Sequence, residues 1–276
     1  MTPPKTTQLS LDAATNRFSV LLATVNAERI KFFSLKTGPV TTAAVAVFIV
    51  VAALMSALSV VSPSSNPNPE AGPITSVSPL RFVDAVLWMA IVFAVVAALF
   101  ATTEYSSGLI QLSFLATPKR MQVVVSKTMV IGLLGFTVGF IASAMAMILP
   151  LVVLTGSHVT YDFVPNQVAM LAAASGLYMG LIGIVSLAFG FLVKNVIVAI
   201  VVPILFFTIL PSVLESIGNN VVTAIVGFLP SMAGRVVLTT FPNPAGLEAW
   251  PGMTVLAGWA LALVILAGII LRYRDA

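Results

Sequence analysis

The sequence contains no cysteine, which excludes disulfide scaffolds, thiolate nucleophiles and cysteine-ligated zinc or iron–sulfur sites. Histidine is almost as scarce. His158 is the single one, so a multi-histidine metal centre cannot be built, and no metal site is expected. Charge is the third shortage. Asp, Glu, Lys and Arg make up 8% of the 276 residues, where a soluble domain carries about 25%. So few charges cannot cover a globule of this size, and 59% of the chain is apolar. Lipid is the expected solvent, and the expected fold class is an all-α polytopic membrane protein.

What the sequence does have is long hydrophobic runs. A helix needs about 20 apolar residues to cross roughly 30 Å of hydrocarbon. Six stretches qualify: Pro39–Val61, Phe82–Thr103, Thr128–Leu154, Gln167–Val193, Val196–Leu214 and Gly252–Leu271. Their centres carry no charge; Asp84 lies in the first turn of the second, where it can reach headgroups. Residues 1–37 are polar and lack a small-residue cleavage site, so they are expected to form a cytoplasmic segment ahead of a signal anchor. Residues 38–276 then form the six-helix membrane domain.

Six crossings put both termini on one side, and the bases say which. Lys5, Arg17, Arg29, Lys31, Lys36, Lys119, Arg120, Lys127, Lys194, Arg272 and Arg274 fall on one side; only Arg81 and Arg235 fall on the other. Basic residues collect on the cytoplasmic face, so both termini are expected there. The formal charge of +4 therefore follows topology and offers no stripe for nucleic acid. Within the N-terminal segment, Phe18–Lys36 interleaves apolar and basic residues, as a helix lying in the inner leaflet would.

The connections differ in character. Residues 62–79 are rich in Pro, Ser and Asn and suit an extended outer loop. Between the fifth and sixth spans, Val221–Leu229 is apolar but too short to cross as a helix, so a re-entrant or interfacial segment is expected. On the inner side, Thr117 and Pro118 read as N-cap and first residue of the third helix. From Pro118 to Leu149 that helix is about 48 Å long, two or three turns more than the hydrocarbon requires. Lys119 and Arg120 in its first turn meet either anionic headgroups or a protein partner. Glu104–Ala116 reads as a connecting loop or a short docking helix. Gly132, Gly135 and Gly139 in the third span, with Gly176, Gly180 and Gly183 in the fourth, suit close packing within one chain.

Catalytic machinery is missing. There is no His-Glu-x-x-His run, no Gly-x-Ser-x-Gly elbow and no paired intramembrane aspartate, and His158 has no expected role. The span centres hold no proton relay. No phosphate-binding Gly-x-x-x-x-Gly-Lys-Ser/Thr loop is present, so any ATP must be handled by another chain.

Three segments together resemble the ABC type-2 permease family, the membrane subunits of ATP-binding-cassette exporters, in wording closest to its actinobacterial members. Glu28-Arg29-Ile30-Lys31-Phe32-Phe33-Ser34-Leu35-Lys36-Thr37 is similar to the family's Glu-x-x-Lys-x-x-Ser-x-x-Ser/Thr run before the first span. Glu104-Tyr105-Ser106-Ser107-Gly108-Leu109-Ile110, then Ala116-Thr117-Pro118-Lys119-Arg120 and Lys127, resembles its Glu-Tyr-x-x-Gly-x-Ile … Pro-x-Arg … Lys pattern. It departs at Ser106–Ser107, where many relatives carry an arginine. Leu229-Pro230-Ser231-Met232-Ala233-Gly234 is similar to the Leu-Pro-Ser-x-Ala-Gly element between the fifth and sixth spans.

The resemblance implies a permease in a bacterial cell membrane that pairs with a second copy or a similar chain. A separate ATPase subunit would bind and hydrolyse ATP with Mg, this chain holding no cofactor of its own. Glu104, Tyr105, Gly108, Pro118, Lys119 and Arg120 would receive the ATPase motion; Glu28, Arg29 and Lys31 would belong to an elbow helix. Leu229, Pro230, Ser231 and Gly234 would form the outer re-entrant element. The family places spans two and five at the dimer interface, which makes Trp88, Phe93, Phe100, Phe206 and Phe207 candidates for the cargo path. Those five side chains are apolar, and the cargo implied is lipid-like or drug-like. Two other functions are compatible with the same spans: a membrane-anchored assembly or immunity protein without transport, and an ion-coupled carrier.

Overall fold

Backbone N–H and C=O groups find no water inside a bilayer, so a spanning segment must satisfy them internally, and the apolar runs of this chain do so as helices. The computed structural model describes residues 5–34, 36–62, 75–106, 120–193 and 195–273; side chains 5–18, 104–106, 120 and 272 fall outside the description. Among the described residues, six helices are long and apolar enough to cross a membrane: Thr37–Val61, Pro79–Thr103, Met121–Leu154, Pro165–Val193, Val196–Ser216 and Ala249–Leu271. They are spans 1 to 6 below, and the protein is a multi-pass membrane protein whose described residues form helices apart from one short strand pair and the connecting turns. Each matches its hydrophobic run to within a few residues except at the start of span 3. The ends are called inner and outer after the expected topology.

Span 4 is the axis of the bundle, with 67% of its apolar window buried against 22% for spans 1 and 5. Its glycines explain the burial. A Cβ on Gly135 would stand 2.7 Å from the Cα of Gly180, and one on Gly139 would stand 2.9 Å from that of Gly176. Spans 3 and 4 therefore meet backbone to backbone, which brings dispersion contacts into range that larger side chains would hold apart. Span 2 packs on the other face of span 4, where the Ser186 hydroxyl donates to the Ala94 carbonyl at 2.5 Å.

Three features interrupt the helices. Span 3 breaks at Leu149–Pro150, because proline supplies no N–H to the preceding turn. The Tyr161 hydroxyl donates to the Met147 carbonyl there at 2.8 Å, and burial pushes its pKa up, which keeps it a donor. In span 5 a π-helical turn, Leu205–Ile209, separates the helices Val196–Ile204 and Leu210–Ser216, with Pro203 before it and Pro211 after it. Between spans 5 and 6, the helix Asn220–Gly227 and the helical stretch Pro230–Leu238 are bent by 68°. The apolar run at Val221–Leu229 thus forms the first arm of a bent pair.

That bend frees carbonyls in an apolar setting, and downstream side chains take them up. Asn243 Nδ2 donates to Gly227 O at 3.1 Å and to Met232 O at 3.2 Å, while Trp259 Nε1 donates to Phe228 O at 2.9 Å. Among the described residues, one strand pair is present, the two-residue parallel pairing Ser76↔Thr160 and Val77↔Tyr161. It joins the connection between spans 1 and 2 to that between spans 3 and 4.

Candidate functional site

Inner end. The N-terminal helix runs from Lys5 to Ser34, well beyond the Phe18–Lys36 expected from the sequence, and the chain turns at Lys36 into span 1. Among its described side chains, Glu28 and Phe32, one turn apart, are buried, with Leu21, Thr24 and Val25 half-buried on the same side. Leu22, Ile30 and Phe33 point away and are exposed. The side held against the bundle is thus centred on a carboxylate.

Its partner is Lys127. Span 3 starts as a helix at Arg120, so Lys127 lies two turns inside it and is 0% exposed. Its ammonium stands 2.7 Å from Glu28 Oε2, while Lys31 donates to Glu28 Oε1 at 2.9 Å. Nζ also reaches the Phe100 carbonyl at 3.4 Å and lies 3.8 Å from the centre of the Phe100 ring, a cation–π distance. The edge of the Phe32 ring meets the same ring at 5.3 Å between centres. Spans 2 and 3 and the N-terminal helix are therefore held by one buried lysine. Isolated, that charge would be costly in an apolar setting; the carboxylate, the carbonyl and the aromatic face together offset its desolvation.

Sequence reasoning placed Glu28 and Lys127 in two motifs and saw no link between them. A lysine flanked by apolar turns on a helix is the signal that would have raised the question. Of the other inner residues, Arg29 is exposed and Lys31 half-buried. Glu104 and Tyr105 lie on the last turn of the second helix and Arg120 on the first of the third, but their side chains are outside the description. Gly108, Pro118 and Lys119 lie outside the described residues, as does most of the Glu104–Ala116 connection.

Outer end. A cavity of about 340 Å³ lies between spans 2, 4 and 5 and the bent pair. Trp88 and Phe207, two of the five candidate path residues, share its wall. Asp84 from span 2 and Arg235 from the bent pair line it too, with Tyr178, Pro211, Ser231 and Met232. The π-helical turn presents Phe207 and Thr208 to this space. The other three candidate path residues lie elsewhere. Phe93 is fully buried, with its ring against Gly135 and Gly183. Phe100 is the ring under Lys127, and Phe206 packs edge-on against Phe189, Phe207 and Trp259.

In the bent pair, Leu229 caps the second arm, Pro230 is its first residue and Ser231 faces the cavity. A Cβ on Gly234 would stand 2.5 Å from Leu256, which explains a glycine in that arm. Sequence reasoning missed Asn243, whose buried side chain bridges the two arms, and did not connect Asp84 with Arg235. Neither carries a local signal.

The N-terminal helix and span 3 meet through charge, whereas spans 3 and 4 meet through glycine. No model of a known protein family matches the chain, and no curated protein matches it.

Proposed function

We propose that the chain is the membrane subunit of an ATP-binding-cassette exporter of the ABC type-2 permease family, acting with a separate ATPase subunit and a second permease copy. The observation that carries this reading is the Lys127–Glu28 pair. Two of the three segments on which the family resemblance rests, far apart in sequence, touch through it. An ATPase pushing from the cytoplasm needs a stiff part to push on. The N-terminal helix, span 3 and the end of span 2 form one through this cluster. Lys119 and Arg120 stand two turns before Lys127 in sequence, where such a partner would dock.

The distribution of bases supports cytoplasmic termini in a bacterial plasma membrane. The exposed Leu22, Ile30 and Phe33 suit an elbow helix in the inner leaflet. The bent pair supports a re-entrant element. Its arms of eight and nine residues, about 12 and 13 Å long and bent, fall short of the hydrocarbon thickness. Motion at the inner cluster would reach the outer end along span 2, which carries Phe100 near one end and Asp84 at the other.

The test is capture of the ATPase. An affinity-tagged chain solubilised in mild detergent from its own membrane should bring down a P-loop ATPase. Charge reversal at Lys119 and Arg120, or Glu104→Ala, should retain the complex yet uncouple hydrolysis from transport. Recovery of no ATPase, or full coupling in those variants, counts against the assignment. The buried carboxylate–lysine pair favours one second reading, a proton-coupled carrier. It requires gradient-driven uptake in reconstituted vesicles that ignores ATP, and neither Glu28 nor Lys127 lines the outer cavity.

A further inference from the structure

Among the described residues, Asp84 and Arg235 enter no ion pair, although both line the outer cavity. Arg81 precedes Asp84 by one 3-10 turn but does not line the cavity. Ser231, 7% exposed and turned into the same space, has no hydrogen-bond partner for its hydroxyl. A buried hydroxyl without a partner is costly unless something completes it. The two charges beside it, the exposed Asp84 (which also feels the charge of Arg81) and the half-buried Arg235, form no ion pair that a ligand would have to break. The rest of the wall mixes apolar side chains with the hydroxyl-bearing Tyr178, Thr208, Ser212 and Thr239; Trp88 is exposed towards the surroundings and Phe207 is buried.

We propose that this cavity binds a zwitterionic amphiphile of the phospholipid type. Its ammonium lies at Asp84, its phosphate at Arg235 and Ser231, and its chain leaves along Trp88 and Phe207. A purely apolar compound would strand both charges. An anion alone would face Asp84 unpaired, and a cation alone would face Arg235. A volume of about 340 Å³ sits at the low end of ligand pockets, enough for a headgroup but not for acyl chains. The chain must therefore run out past Trp88 towards the lipid. The assignment deepens the permease reading by giving it a cargo class, and it rests on that reading for calling the cavity outer.

Binding needs no ATPase, so the test separates the two. The purified chain in a maltoside detergent is titrated with three probes of equal acyl length: lysophosphatidylethanolamine, lysophosphatidylglycerol and an alkyltrimethylammonium. Bound ligand is counted by native mass spectrometry. The zwitterion should bind at least about tenfold more tightly than either singly charged probe, the scale expected when one charge of a complementary pair is lost. Asp84→Asn should erase its advantage over the anionic probe, and Arg235→Gln its advantage over the cationic one. Free phosphoethanolamine should bind far more weakly, because it lacks the chain. Equal binding of the three probes, or unchanged ranking in both variants, overturns the proposal; so does tight binding of phosphoethanolamine. If either variant fails to fold, the ranking on the unmodified chain decides alone.

Discussion

The chain holds opposite charges at both ends of span 2 and treats them in opposite ways. At the inner end, Glu28 and Lys127 are buried and in contact, with an aromatic ring beneath. At the outer end, Asp84 and Arg235 face one cavity and stay apart. The two sites are about 24 Å apart along the helix, from Asp84 to Phe100. A closed pair has used its electrostatic attraction to hold helices together. An open pair keeps it for something that arrives from outside. A carboxylate and a basic side chain thus serve as a fastening in one place and, on the proposal above, as a receptor in the other, with burial deciding which.

Substitutions can break this contrast, and the largest effect is expected at the closed pair. Glu28→Gln leaves Lys127 buried with no carboxylate and should cost about 3–5 kcal/mol, read as unfolding in a denaturing-detergent titration. Adding Lys127→Met to it should recover most of that loss, since no charge is then stranded. Full additivity of the two would show that the pair does not act as a unit.

Asn243→Ala comes next. It leaves two buried carbonyls, Gly227 O and Met232 O, without their donor and should cost about 1–3 kcal/mol in the same titration. This tests whether the outer end depends on neutral hydrogen bonds where the inner end depends on charge. Phe100→Leu keeps an apolar side chain but removes the ring under Lys127. About 1 kcal/mol of the resulting loss belongs to the cation–π contact, and that part should vanish in the Lys127→Met background.

The smallest effect sharpens the contrast most. Asp84→Asn should change stability by no more than about 0.5 kcal/mol, as an exposed and unpaired side chain should. A loss comparable to that of Glu28→Gln would mean that the outer charges are fastened as well.

The spans were legible because a bilayer imposes length: about 20 apolar residues is a constraint that each run satisfies by itself. The sequence places the start of the span 3 helix ahead of the apolar run that begins at Thr128, but Lys127 within it reads as polar, and only its contacts make it an interior residue. The bent pair was legible in part. Val221–Leu229 is too short to cross, but nothing local says that Asn243 and Trp259 will cap its carbonyls. The glycines of spans 3 and 4 were readable because close approach needs a small residue wherever the partner comes from. Pairings such as Glu28 with Lys127, or Asp84 beside Arg235, are properties of the folded arrangement, and the strings around them are ordinary. Of the five aromatic residues assigned to a cargo path, Trp88 and Phe207 share a wall because a π-helical turn rotates span 5 there. Neither propensity nor periodicity encodes such a turn.

The bent pair also sets an order of events during biogenesis. The Phe228 carbonyl finds its donor in Trp259, and the Gly227 carbonyl in Asn243, and both donors leave the ribosome later than the bend itself. If the pair re-enters the membrane as proposed, the bend would strand polar backbone in hydrocarbon until they emerge, and this segment would wait at the membrane–water boundary. Its entry would then be the closing step of insertion, and a nascent chain arrested before the sixth span should leave it open to protease.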